Sequence, residues 1–351
     1  MVARPELRTR LAGEVWGLLL LACSLAFWAW HLAPELTIGQ WPPNDGVLHI
    51  VASERLAASL GAGEPLLEPW ASEWALGYPL WRTYQPLPHL VTALALRATA
   101  TVADPAATFA ALMYLLLVLL PVSIYAGARL LGLDPIAAGL ASLFVHLPSA
   151  TGEPGRYGLG LGSTTWRGSG LFTQLAALHL LALALGATAR ALDGAGRRWG
   201  AGLLLAATSL SHIVFGYVAF VSAAVVALVG PRGERARRLT RLGGIVAGAL
   251  VLMLWFLVPL VLGRHEINHS RWEAAVKWDS FGASFVPGYK TIVTGTAAQV
   301  NHYITGFNVG KLRRQAATQP KVSIGIITFK LFIVFGHNIV NAIAAAGSIA
   351  A

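Results

Sequence analysis

The chain has 351 residues, of which 56% are hydrophobic and only 12% charged, with a formal net charge of +10. A soluble domain carries roughly a quarter charged residues, so this composition excludes an ordinary water-soluble globule. Nucleic acid is not an expected partner either, because the arginines sit between apolar runs, where they set orientation and meet anionic lipid headgroups.

Arg4, Arg8 and Arg10 precede the first apolar run, residues 15–32. By the positive-inside rule the N-terminus is then cytoplasmic, in a multi-pass protein of the cell membrane. Runs near the ~20 residues that span a bilayer must be helical, since lipid offers the backbone no hydrogen-bond partners. The alternating ~10-residue segments of a membrane barrel are missing. Leu20-Leu21-Ala22-Cys23 faintly resembles a lipoprotein cleavage box, but the apolar run continues to Trp30, which favours a retained helix. Cys23 is the only cysteine, so no internal disulfide forms.

Residues 33–85 form a long loop rich in Trp, Pro and acidic residues, placed on the outer face. Loops of this length with no strong period usually carry function. Further apolar runs cover 87–102, 106–126, 135–150, 171–192, 201–229 and 242–262. A Gly-rich break with Arg156, Trp166 and Arg167 occupies 152–170, and an arginine run with Arg232, Arg235, Arg237, Arg238 and Arg241 occupies 231–241.

The arginine run and the group Arg190, Arg197 and Arg198 both read as cytoplasmic. Residues 201–229 must then dip to the outer face near Ser211-His212 and return. Counting backwards puts 152–170 outside and Arg129 inside. The stretch 87–126 then crosses once, which makes 87–102, interrupted by Arg97, a partial or interfacial helix. An arginine at the bilayer centre would cost about 2.5–3.5 kcal/mol. A single tilted span over 201–229 is the other solution, and it leaves three arginines on the wrong side.

The expected fold is an all-α polytopic bundle with a long first extracytoplasmic loop. Residues 1–285 form the transmembrane module. Residues 286–351 form an atypical tail in which lysine and asparagine rise, with a last apolar run at 322–346 that is long enough for one more span. The tail reads either as an ordinary outer segment plus a helix, or as a foreign end to a truncated gene.

The chemistry-bearing segment is Trp41-Pro42-Pro43-Asn44-Asp45-Gly46-Val47-Leu48-His49. The two prolines hold an extended turn. In a helix, Asp45 and His49 share a face. Asp45 then serves either as a general base or metal ligand, or as the cap of that helix. Trp81, Tyr84 and His89 close the same loop, as interfacial anchors or as the lining of a sugar or headgroup site. Arg156 and Arg167 suit phosphate, and His212 lies at the proposed hairpin tip. No P-loop, HExxH motif or cysteine metal site is present.

The order of Asn44-Asp45 with His49, Gly77-Tyr78-Pro79, Tyr84-Gln85-Pro86-Leu87-Pro88, Trp166-Arg167-Gly168 and Leu210-Ser211-His212 resembles a known pattern. It looks like the GT-C superfold glycosyltransferases, closest to the bacterial membrane proteins labelled "6-pyruvoyl-tetrahydropterin synthase-related". The resemblance covers about residues 10 to 285. It implies transfer of a sugar from a polyprenyl-phosphate donor to an unknown acceptor on the extracytoplasmic side. Asp45 would be the catalytic residue. Asn44, His49, Trp81, Tyr84, Arg156, Arg167 and His212 would bind substrate, and a divalent metal is an open requirement. Gln85 stands where the pattern has proline, and such proteins run much longer than this chain. The alternatives are a non-enzymatic transporter or scaffold, or an inactive truncated module.

Overall fold

The computed structural model describes residues 5–37, 45–64, 77, 79–146, 171–229 and 231–263, with side chains from Leu11 onward except that of Arg232. The Gly-rich break at 152–170 and the tail 286–351 lie outside the described residues.

Helix α1 spans Pro5–Leu32 and runs into a short turn, Ala33–Leu36. Helices α2 (Asp45–Ala62) and α3 (Leu87–Thr99) follow, with a 3-10 turn at Leu80–Arg82 between them. Next come α4 (Pro105–Leu130), α5 (Pro135–Phe144) and α6 (Phe172–Leu192). The series closes with α7 (Arg198–Ser211), α8 (Ile213–Val229) and α9 (Arg235–Leu262). No strand occurs among the described residues. Helices α1, α4, α6 and α9 are long and apolar enough to cross a membrane, which makes this a membrane protein by length and composition.

Local chemistry sets several boundaries. Asp104 and Asp134 each precede a proline at the first helical position. Their carboxylates accept the backbone N–H of Ala107 at 2.7 Å, and of Ile136 and Ala137 at 3.0 Å. Gly132, at φ +94°, turns the chain out of α4 in a conformation that a Cβ disfavours.

The helices alternate between two ends of the bundle. Glu14 of α1 pairs with Arg129 of α4 at 2.6 Å, while Tyr114 of α4 donates to the Ala29 carbonyl at 2.9 Å, so α1 and α4 are antiparallel. Helix α5 runs parallel to α1. Gly139 packs on Gly17, the Ser24 hydroxyl donates to the Ser142 carbonyl, and Trp28 lies 4.1 Å from the His146 ring. Helix α6 runs parallel to α4, from Phe172 beside Phe109 to Gly186 beside Leu130.

Helices α7 and α8 form a hairpin about His212, whose extended backbone (φ −159°, ψ 118°) breaks the helix. Gly216 sits directly on Ser209 across the fold. The other ends of the legs meet α9, where Arg238 pairs with Asp193 and donates to the Val226 carbonyl at 2.9 Å. Arg241 donates to the Leu192 carbonyl at 2.5 Å. One end of the bundle therefore gathers Arg129, Arg190, Arg197, Arg198, Arg235, Arg237, Arg238 and Arg241. The opposite end carries α2, α3 and His212. This is the parity expected from the charge pattern, with α3 too short to cross: 13 residues rise about 20 Å.

Inside the spans, polar groups are placed where the backbone leaves them work. Pro121 within α4 provides no N–H for the Leu117 carbonyl. His146 lies beside that carbonyl, and His179 of α6 reaches the neighbouring Leu116 carbonyl at 2.8 Å. His179 donates there from Nε2, so its Nδ1 accepts from the Ser123 hydroxyl at 2.7 Å.

Two outcomes follow from this packing. In a Cys23→Ser background, cysteines at Ala195 and Ala236 should react with an impermeant reagent from one side of the membrane, and a cysteine at Leu36 from the other. Reaction of Ala195 and Leu36 from the same side would refute the two-ended arrangement. A Cβ at Gly186 would stand 2.5 Å from the Leu130 Cβ, whereas one at Gly248 meets nothing. Gly186→Val should therefore destabilise the protein by about 1–3 kcal/mol or more, and Gly248→Ala should leave its melting temperature in detergent nearly unchanged.

Candidate functional site

Asp45 is the first residue of α2 and is exposed. A carboxylate in the first turn is favoured by the helix dipole. Four residues on, His49 is buried and points between α2 and α3. Its Nδ1 lies 3.0 Å from Nε2 of His89. His89 is fully buried in a box of rings: Trp81 at 5.0 Å, Tyr84 edge-on at 5.6 Å and Phe172 edge-on at 5.9 Å. Phe172, at the start of α6, also stands 5.6 Å from His49.

The run Pro79 to His89 folds this way for local reasons. Pro86 and Pro88 sit at the entry to α3, where a missing N–H costs nothing. The 3-10 turn Leu80–Arg82 swings Trp81 inward, so it is 3% exposed, and packs against α9. Trp81 thus supports His89 from behind. Tyr84, half-buried, hydrogen-bonds Thr173 and feels the charge of Asp45. His212 projects from the hairpin tip, with its ring edge-on to Phe215 at 5.3 Å and within electrostatic reach of His49.

Two titrations follow from these surroundings. Burial raises Tyr84 above the usual phenol range; the Thr173 hydrogen bond opposes this, and the Asp45 charge adds to it. Burial, reinforced by the neighbouring His49, lowers His89 from 6.5 to about 3, against a weak pull from the Gln85 carbonyl. His89 is therefore neutral at physiological pH and cannot serve as a base there.

Five residues expected from the sequence, Asp45, His49, Trp81, Tyr84 and His212, come together at one end of the bundle. Asn44, Arg156 and Arg167 lie outside the described residues. Phe172 and Thr173 were not singled out for the site, and His89 was read only as part of the run that closes the loop. His89 closes the aromatic run in the sequence, but nothing in its spacing shows that it meets a residue 40 positions earlier. Among the described residues no three His, Cys, Asp or Glu side chains converge as a metal-ligand set.

Comparison with family models, with curated proteins and with solved structures finds no match. The site accordingly rests on its own geometry. An exposed carboxylate stands near the His49–His89 pair, flanked by a tyrosine and a third histidine, and all of them are supplied by segments outside the four long apolar helices or at their ends. This arrangement can accept a proton at Asp45 and hold hydroxyl-bearing groups at Tyr84 and His212.

The His89 burial has a measurable consequence. The folded state takes up this proton only near pH 3, the unfolded chain near 6.5. The stability from a neutral His89 is complete above about pH 6.5 and is lost as pH falls from there toward 3. Melting temperature should decline over that window. In His89→Gln the decline should be shallower by about one proton. An identical pH slope in the variant would show that His89 is not the group responsible.

Proposed function

We propose that the chain is a glycosyltransferase-like membrane protein that transfers a sugar from a polyprenyl-phosphate donor to an acceptor hydroxyl on the extracytoplasmic side. The single observation carrying this reading is the exposed Asp45 in the first turn of α2, near His49, Tyr84 and His212 at the end of the bundle opposite the arginine group 190–241. A lipid-phosphate donor embedded by its chain presents its headgroup at the end of the spanning helices, which is the level of these residues.

In the reaction the Asp45 carboxylate takes the proton of the acceptor hydroxyl. The acceptor oxygen bonds to the anomeric carbon as the bond from that carbon to the phosphate oxygen breaks, and the electron pair leaves on the lipid phosphate. Arg156 and Arg167 are the guanidinium groups assigned to that phosphate by the sequence pattern. Tyr84 and His212 orient hydroxyls. The resemblance to GT-C proteins supports the same role for Asp45.

The Asp45→Asn substitution tests this. It preserves shape while removing the proton acceptor, and loss of a general base commonly costs about 100- to 10,000-fold in rate. The variant should keep its expression and melting temperature and lose transfer from a panel of labelled polyprenyl-phosphate sugars. Undiminished transfer would remove Asp45 as the base. A folded wild type inactive with every donor would instead favour a non-enzymatic scaffold.

A further inference from the structure

Residues 45–62 belong to what the charge pattern places as an outer loop, yet they form a helix that is paired with α3 in a definite geometry. His49 and His89 meet at 3.0 Å near the starts of the two helices, and further along Arg97 donates to the Ala57 carbonyl at 3.1 Å. Both contacts join residues 40 positions apart, so α2 and α3 run parallel. They share a small core of Ala52, Leu56, Trp81 and Ala93, separate from that of the spans.

Both ends of α3 are held at one level. The His89 ring, near its start, stands 5.9 Å from Phe172, the first residue of α6. Thr99, its last residue, hydrogen-bonds Thr108 in the first turn of α4 at 2.7 Å. Phe172 and Phe109 are themselves 5.1 Å apart. A helix held at both ends by the heads of two neighbouring spans lies across them, and its parallel partner α2 lies with it. The spans give the depth of this layer. About 20 residues of α4 separate Arg129 from Phe109 and about 18 of α6 separate Arg190 from Phe172, which are rises of about 30 and 27 Å. A hydrocarbon core is about 30 Å thick, and helix tilt only shortens these rises. With the arginines at one polar boundary, α2 and α3 lie at the other, where acyl chains give way to headgroups.

The surface they present there is apolar. Val91 and Leu94, 53% and 54% exposed, continue to the exposed Ala98 at helical spacing, which makes one stripe along α3. Val47, Leu48 and Val51 form another on α2. One turn beyond Val51 the charged residues begin, with Glu54, and with Arg55 paired to Glu64 at 3.3 Å. The α3 stripe also borders lipid-facing surface. Thr108, where α3 ends, shares a face of α4 with the exposed Leu115, Leu119 and Val122, so α3 reaches the side of α4 that meets lipid.

We propose that α2 and α3 form an interfacial pair lying in the plane of the leaflet at this end of the bundle, with Val47, Leu48, Val51, Val91 and Leu94 immersed among the upper acyl segments of its phospholipids. The inference rests on the membrane setting alone and is independent of the transfer reaction. It keeps Asp45, at the head of α2, at headgroup depth.

Spin labelling of the full-length protein in lipid nanodiscs tests the assignment. In a Cys23→Ser background, single cysteines at Leu48, Val91 and Leu94 carry a nitroxide, with Leu119 as the mid-span reference and Ala195 as the reference in water. Collision with oxygen, which concentrates in lipid, is compared with collision with a water-soluble nickel chelate. The oxygen-to-nickel ratio at the three positions should exceed that at Ala195 by about tenfold and fall below that at Leu119, the grading expected about 5–10 Å into the leaflet. These exposed substitutions should leave the melting temperature unchanged. Along a cysteine scan of residues 90–98 the ratio should peak at positions 91, 94 and 98. Ratios at Val91 and Leu94 equal to that at Ala195 would overturn the proposal by placing the stripe in water. Few collisions with either reagent would overturn it by showing that protein, such as a second copy of the chain, covers the stripe.

Discussion

Helices α4 and α6 run side by side in the same direction because glycine leaves them room. A Cβ at Gly127 would fall 2.5 Å from the Ala182 carbonyl oxygen, and one at Gly186 would fall 2.7 Å from the Gly127 carbonyl oxygen. Within lipid no hydrophobic force drives apolar helices together, so close backbone approach supplies the attraction. The rest of the bundle leans on this pair. Helices α1 and α5 pack on the outer side of α4, and α7, α8 and α9 on the outer side of α6. The pair also sets the site. Phe172 at the head of α6 and Phe109 at the head of α4 form the floor beneath His49 and His89.

The two ends of the bundle are chemically opposite because each solves a different problem. At the arginine end, guanidinium groups reach back to the Leu192, Val226 and Leu133 carbonyls. Those carbonyls terminate or follow helices and would otherwise need water or lipid partners. At the other end, His89 sits in a box of aromatic rings, and burial keeps it neutral at physiological pH.

Much of this was legible in the sequence, because membrane spans advertise themselves through length and charge. Arginine placement alone called for a turn at Ser211-His212, and the helix breaks there. It also reduced residues 87–102 to a partial helix, and α3 ends at Thr99. The start of helix α2 near Asp45 was offered by the sequence, but its length inside the loop 33–85 was not. It buries His49, Ile50, Ser53, Leu56 and Ser59 and exposes Val47, Leu48 and Val51, and this mixture of polar and apolar residues on both faces blurs the period that marks an amphipathic segment. The His49–His89 contact was invisible for a related reason: it depends on how α2 and α3 stack, a long-range fact that no local spacing encodes. Trp81 illustrates the limit for aromatic residues, since anchor, site lining and inner support all read alike until the chain is folded.

The α7–α8 hairpin bears on the bilayer itself. Its legs have 14 and 17 residues, rising about 21 and 26 Å, short of a hydrocarbon core about 30 Å thick. Val214, Val221, Val225 and Leu228 are exposed along α8, so one leg faces lipid directly. Lipids beside it must tilt or compress to keep the ends of the hairpin at polar depth. A short hairpin of this kind thins the leaflet beside it, which would bring lipid headgroups closer to His212 at its tip.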